Sequence, residues 1–251
     1  MSHYVDVISV LAWKDFKVRY RSSALGFVWS ILNPLAYMII LTLVFSVLIR
    51  TNIVNYPAWF LVGILIWRFF SVATTQGLYS IVSNASLVSK VYIPRYLIVL
   101  SNCLGNLLGA SLEFVVLLPL LVLLGVNFSL FAFFFPIVIT LEFLLIFGLS
   151  LSLSSLVVRY RDLYQIWDIV LQLGFFLSPI VYDVTSVPTR FRMLYELNPA
   201  TRLIVTARML LLQHAAPDVL FDLTTLSIIG VTLLIGFIVF GSLEKRFVDQ
   251  L

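Results

Sequence analysis

Few side chains in this sequence are able to do chemistry, and the two most telling are charges set inside apolar runs. Arg68 follows Pro57 by eleven residues and Glu142 follows Phe131 by eleven, so in helices entering from one side of a bilayer each lies about 16 Å inward by helical rise. An ionised group at that depth is costly unless another charge meets it. The matched depths predict an Arg68–Glu142 ion pair between helices; contact with a polar cargo is the other role open to them. Glu113 and Asp168 also sit in apolar runs, with no partner evident from spacing. Nothing else has the form of a reaction centre. There is no Gly-x-x-x-x-Gly-Lys-Ser/Thr loop, no Ser/His/Asp arrangement and no metal-ligand spacing. His3 and His214 are far apart, and the single cysteine, Cys103, excludes an internal disulfide. No covalent chemistry, metal or cofactor is expected of this chain.

The elements that must position these charges follow from composition. Of 251 residues, 61% are hydrophobic and 11% charged, and the mean hydropathy is +1.08; soluble domains are roughly 45–50% apolar and 25% charged. This is the composition of an integral membrane protein. Apolar stretches of about 18 to 25 residues recur between polar breaks, a length that crosses a bilayer as helix and unlike the ten-residue alternation of an outer-membrane barrel. Six spans are expected. They are 26–49, loosened by Asn33-Pro34; 57–81, carrying Arg68; 96–124, with Gly105, Gly109, Ala110 and Ser111 for close helix approach; 131–158, with Ser150, Ser152, Ser154 and Ser155; 163–182; and 223–243.

Ahead of the spans, residues 4–21 place Val5, Ala12, Trp13, Phe16 and Tyr20 along one helical stripe and Lys14, Lys17 and Arg21 along another. That suits a helix lying on the membrane surface; a plain extension of the first span is the alternative. No cleavable signal is expected, since this segment lacks an early apolar core. Ten Lys and Arg flank the spans on one side against five on the other, which puts both termini in the cytoplasm. The formal net charge of +4 thus reflects orientation and implies no nucleic-acid partner.

The most informative stretch runs from Arg159 to Arg208. A charged turn, Arg159-Tyr160-Arg161-Asp162-Leu163, leads into an apolar run ending Phe175-Phe176-Leu177-Ser178-Pro179-Ile180-Val181-Tyr182. The segment after Tyr182, through Pro188 and the Asn198-Pro199 turn, is neither a further span nor an ordinary soluble loop. Its helix-like tail, 201–213, would rise only about 20 Å and cannot cross about 30 Å of hydrocarbon. This order of signals, with Lys90-Val91-Tyr92-Ile93-Pro94-Arg95 upstream, resembles the permease subunit of type-2 ABC exporters. Within them it is most similar to those that export lipid-linked polysaccharides such as O antigen, capsule or teichoic acid. The resemblance covers nearly the whole chain.

The resemblance implies an all-α integral membrane protein: six transmembrane helices, an N-terminal amphipathic interface helix (1–25) and short re-entrant helices (183–215) that close the outer mouth, where Pro179, Asn198, Pro199 and Arg202 fall. It implies a homodimer in the bacterial inner membrane, with a conduit on the two-fold axis and a nucleotide-binding ABC ATPase subunit that holds ATP and Mg. Lys90, Tyr92, Pro94, Arg95, Arg161 and Asp162 would meet that subunit. Arg19 and Arg21, just before the first span, would dock the phosphate of a lipid-linked glycan, for which forked guanidinium donors are suited; positive-inside anchoring in membrane lipid explains each of them as well. Sugar rings present apolar C–H faces to aromatic rings, which makes Trp29, Tyr37, Trp67, Phe70, Phe175, Phe176 and Tyr182 the candidates to line the conduit. Lipid-facing and interfacial positions account for most other aromatics. A drug or small-lipid exporter of the same fold is the nearest rival. A membrane-embedded glycan-assembly enzyme would need a clustered acidic pair or a catalytic basic constellation, and a channel a repeated polar face.

Overall fold

The computed structural model describes residues 2–21, 26, 28–48, 53–90, 93–216 and 219–247, and among these there is no strand. The helices are α1 (Ser2–Arg21), α2 (Val28–Thr42), α3 (Tyr56–Ser83), α4 (Ala85–Lys90), α5 (Tyr96–Leu123), α6 (Phe135–Arg159), α7 (Leu163–Leu177), α8 (Thr189–Leu197), α9 (Pro199–Leu211) and α10 (Val219–Leu243). A π-helical turn, Leu43–Leu48, continues α2. The core is organised around α3, which is buried along most of its length and packs against α2, α5, α6, α7 and α9.

Local chemistry sets the helix ends. Pro57 lies in the first turn of α3, where its missing N–H costs nothing. Gly125, at φ 84°, ends α5 in the left-handed conformation while the Val126 N–H reaches back to the Leu121 carbonyl at 3.0 Å, a closure that glycine at this position permits. Several hydroxyls inside the spans are satisfied by their own helices. Thr74 donates to the Phe70 carbonyl at 2.8 Å and Ser155 to the Ser152 carbonyl at 2.8 Å, so these side chains carry no polar face outward.

Among the described residues, five helical segments are long and apolar enough to cross a bilayer: Val28–Phe45, Tyr56–Ser83, Tyr96–Leu123, Leu130–Arg159 and Phe221–Leu243. The expected span over 163–182 is where the structure departs from the sequence reading. Helix α7 stops at Leu177 after 15 residues, about 22 Å of rise. Pro179 explains the stop, because the residue before a proline is pushed out of helical geometry and Ser178 is extended at φ −107°, ψ 145°.

The α6–α10 packing has backbone against backbone. A Cβ placed on Gly148 would come within 2.9 Å of Leu233 Cα and N, and one on Gly236 would strike the Gly148 carbonyl. Gly148→Ala is therefore expected to lower stability by about 1–3 kcal/mol. Gly241→Ala, where a Cβ meets nothing within 4 Å, should leave it unchanged. Thermal unfolding of the two detergent-solubilised variants checks this contrast.

Candidate functional site

Between α2, α3 and α7 lies an open groove of about 650 Å³ in which four of the seven expected aromatics meet: Tyr37, Trp67, Phe175 and Phe176. Trp67 and Phe175 make an edge contact at 6.3 Å between ring centres, and Phe175 and Phe176 another at 5.2 Å. The Trp67 ring lies so close to Gly174 that a Cβ there would sit 2.8 Å from Trp67 Cη2. The Trp167 indole N–H donates to Thr74 Oγ1 at 3.2 Å, pinning α7 onto α3. Polar groups share the groove, including Asn33, Arg68, Gln76, Asp168 and Gln172; the Gln172 amide donates to Asp168 at 3.1 Å. The other three aromatics are elsewhere. Trp29 lines a separate cavity of about 330 Å³ beside Arg68, Phe70 is buried in the core, and Tyr182 lies beyond the end of α7.

The expected Arg68–Glu142 pair is not formed. Arg68 instead meets Glu113 of α5 at 3.5 Å and donates to the Asn33 amide oxygen at 3.0 Å, while Glu142 is fully buried with neither carboxyl oxygen hydrogen-bonded among the described residues. The reason is azimuth. Glu142 lies beside the Phe70 backbone, and Phe70 is two residues, about 200° around the helix, from Arg68. One turn pair further along the same side of α3, Gly77 touches Ser150 of α6. Depth was matched, but the two charges point to different neighbours.

At the end holding α1, the Lys14 ammonium donates to Asn84 at 3.2 Å and the Asn102 amide to Asp15 at 3.2 Å. A Cβ on Gly105 would be 2.9 Å from the Ala12 carbonyl. Helix α1 is thus docked on α5 as well as presenting Tyr4 and Trp13 outward. The Arg95 guanidinium is already engaged, donating to the Glu244 carbonyl with Phe247 beneath it at 5.9 Å. Pro94 opens α5, its carbonyl accepting from Leu97 at 3.0 Å. Arg161 and Asp162 are exposed in the α6–α7 turn. Tyr92 lies outside the described residues, as do the side chains of Arg19, Arg21 and Lys90.

At the other end, Asn198 caps α9 by accepting from the Ala200 N–H at 3.0 Å and joins it to Ser178 at 3.1 Å; Pro199 occupies the first turn. Arg202 donates to the Glu196 carbonyl, the Phe221 carbonyl at 3.0 Å and Thr224 Oγ1 at 2.5 Å. Burial pulls its pKa below the ordinary arginine value, opposed by Glu196, yet arginine stays a cation in proteins. The residue the sequence did not single out is Arg208. Its guanidinium is buried, stacks 3.2 Å from the Trp59 ring centre, and donates to the carbonyls of Trp59 at 3.1 Å, Pro179 at 2.5 Å and Ile180 at 3.2 Å. Its signal was positional, since Ile204, Arg208 and Leu211 fall at i, i+4 and i+7 on one buried face of α9.

These features define a polytopic helical membrane protein with a groove, at once aromatic and polar, among its spans. Residues 6–212 match the ABC-2 type transporter family, and the chain belongs to it. It is 30% identical over 255 residues to the O-antigen export system permease protein RfbA of Myxococcus xanthus, covering 99% of this chain and 96% of that protein. Similarity to the protein of the same name from Klebsiella pneumoniae is 29% over 256 residues, covering 100% and 97%. The polysialic acid transport protein KpsM of Escherichia coli is 21% identical over 246 residues, covering 95% and 93%.

Proposed function

We propose that this chain is the membrane-spanning subunit of an ATP-driven transporter that exports lipid-linked polysaccharide across the bacterial cytoplasmic membrane. The observation that carries the reading is end-to-end likeness: 99% of this chain aligns with 96% of an O-antigen export permease. ATP and Mg belong to a separate nucleotide-binding partner at the cytoplasmic face, and this sequence has no phosphate-binding loop of its own. In this reading both termini are cytoplasmic, α7 and the turn after it complete a sixth pass, and α8 and α9 are re-entrant helices at the outer mouth.

Two copies of the chain enclose the conduit. Support comes from apolar faces left exposed among the described residues: Trp29, Tyr37, Ile39 and Ile40 on α2, and Ile166, Ile169, Leu173 and Phe176 on α7. The last four recur at the three- and four-residue spacing of one helix face. The groove aromatics give apolar contact to sugar rings without hydrogen bonds that would hold the glycan in place.

Deleting the gene and restoring it with and without the cognate ATPase tests the function. Surface glycan should return only when both are present, and the two proteins should co-purify; glycan export by this subunit without an ATPase would sink the reading. For the conduit, Phe176→Ala is the discriminating variant, because the ring is 67% exposed and its loss disturbs little packing. Export is expected to fall about fivefold or more, in line with losing one stacking contact of about 1 kcal/mol, at normal membrane abundance. Unchanged export would remove Phe176 from the path.

A further inference from the structure

A second large cavity, of about 810 Å³, lies at the end of the bundle away from α1. Four separate parts of the chain wall it: the start of α3, the turn after α5, the loop after α7 and the segment after α9. Its size falls within the roughly 300–1,000 Å³ of ligand sites. Its chemistry differs from that of the groove. Asn55, Asn127, Thr185, Ser186, Gln213 and His214 contribute amides, hydroxyls and an imidazole, and no lysine or arginine is among the described lining residues. Asp183 supplies one carboxylate; one of its oxygens accepts from the Thr185 N–H at 2.7 Å and the Thr185 hydroxyl at 2.6 Å. The Asn55 amide donates to the Leu124 carbonyl at 2.9 Å, which holds that wall in place. With a carboxylate but no lysine or arginine on the described walls, the cavity disfavours a phosphate, whereas a neutral polyhydroxylated ligand would find donors and acceptors on several sides.

One residue of the cavity wall, Tyr182, is bonded to the groove. Tyr182 lines the cavity and lines a neighbouring space of about 700 Å³ with Phe191 and Tyr195. The Tyr182 hydroxyl donates to the carbonyl of Phe176, a groove residue, at 2.8 Å and to the Tyr195 hydroxyl at 3.1 Å. The aromatic chain Trp67–Phe175–Phe176 is thus joined at its end to Tyr182 of the cavity wall by a hydrogen bond.

We propose that the cavity formed by Asn55, Asn127, the Asp183–Ser186 loop and Gln213–His214 is an exit site that binds a short neutral saccharide segment as it leaves the aromatic groove. The inference rests on the polysaccharide reading and adds to it a place and a ligand class. A bound segment bridges the loop after α7 and the end of α9 to the α3–α5 scaffold, so the site favours one arrangement of the outer end while it is filled.

The test uses the full chain with its ATPase. Asn127→Trp and Ser186→Trp fill the cavity from opposite walls at exposed positions, and an Asn127→Ala/Gln213→Ala double variant removes polar contacts without adding bulk, which covers the case of a tryptophan variant that fails to accumulate. Saturation-transfer NMR on the complex in lipid nanodiscs, with neutral mannose, glucose and galactose trisaccharides as probes, should give a signal that falls about fivefold or more in the variants, the size of one lost neutral hydrogen bond. Surface export in a deletion host should slow to a similar degree. Variants that insert normally and keep both the signal and the export rate overturn the exit site and leave the transport reading standing. Stronger transfer to a sialic acid trimer than to the neutral probes overturns the ligand class. A wild-type chain and ATPase that restore no surface glycan overturn both.

Discussion

Replacing Arg208 by methionine should be the most destabilising single change at the end of this protein away from α1, at about 3–5 kcal/mol. The guanidinium answers three buried carbonyls on two separate elements, Trp59 on α3 and Pro179 and Ile180 after α7. A buried acceptor stripped of its donor costs about 1–3 kcal/mol, and the thioether offers none. Arg208→Lys should recover only part of the loss, because a single ammonium cannot imitate the guanidinium fork or its stacking on Trp59. Unfolding followed by tryptophan fluorescence in detergent measures both. A loss below about 1 kcal/mol for the methionine variant would mean that the carbonyls find other donors and that Arg208 is not what ties the two ends of this region together.

The second large effect separates two glutamates that look alike in the sequence. Glu113→Leu takes the counter-charge from Arg68 and should cost about 1–3 kcal/mol, less than the range for breaking a fully buried ion pair because both side chains are only partly buried. Glu142→Leu removes a carboxyl that is buried without a hydrogen bond among the described residues, and should hold stability level or raise it by about 1–3 kcal/mol. The Arg68→Met/Glu113→Leu double variant should recover most of the single-variant loss, since the penalty lies in the orphaned charge. The same ordering is expected in the yield of folded protein in membranes. If Glu142→Leu proves the more damaging of the two, Glu142 has a partner of its own in the membrane and the Arg68–Glu113 assignment loses its weight.

These two cases mark where the one-dimensional pattern runs out. Counting residues from Pro57 and from Phe131 placed Arg68 and Glu142 at one depth, and depth is what a count measures. Partner choice depends on rotation about each helix axis, and on α3 a step of two residues separates the side facing Glu142 from the side facing Glu113. Arg208 was missed for a related reason. An arginine that shares a short segment with Arg190, Arg192 and Arg202 invites a solvent-exposed reading, and only the neighbours of α9 show that its carbonyl partners come from residues 28, 29 and 149 positions away.

The helical membrane class, the limits of four long spans to within a few residues and the Asn198-Pro199 turn ahead of a short helix were legible in the sequence alone. Each is local: bilayer length demands an apolar run, proline lacks an N–H, and asparagine caps the next turn. Which aromatics share a groove, which acid meets Arg68, how short α7 would be and that a polar cavity forms from four distant segments belong to the packed chain. They are settled by which faces turn together, and no spacing rule along the chain carries that information.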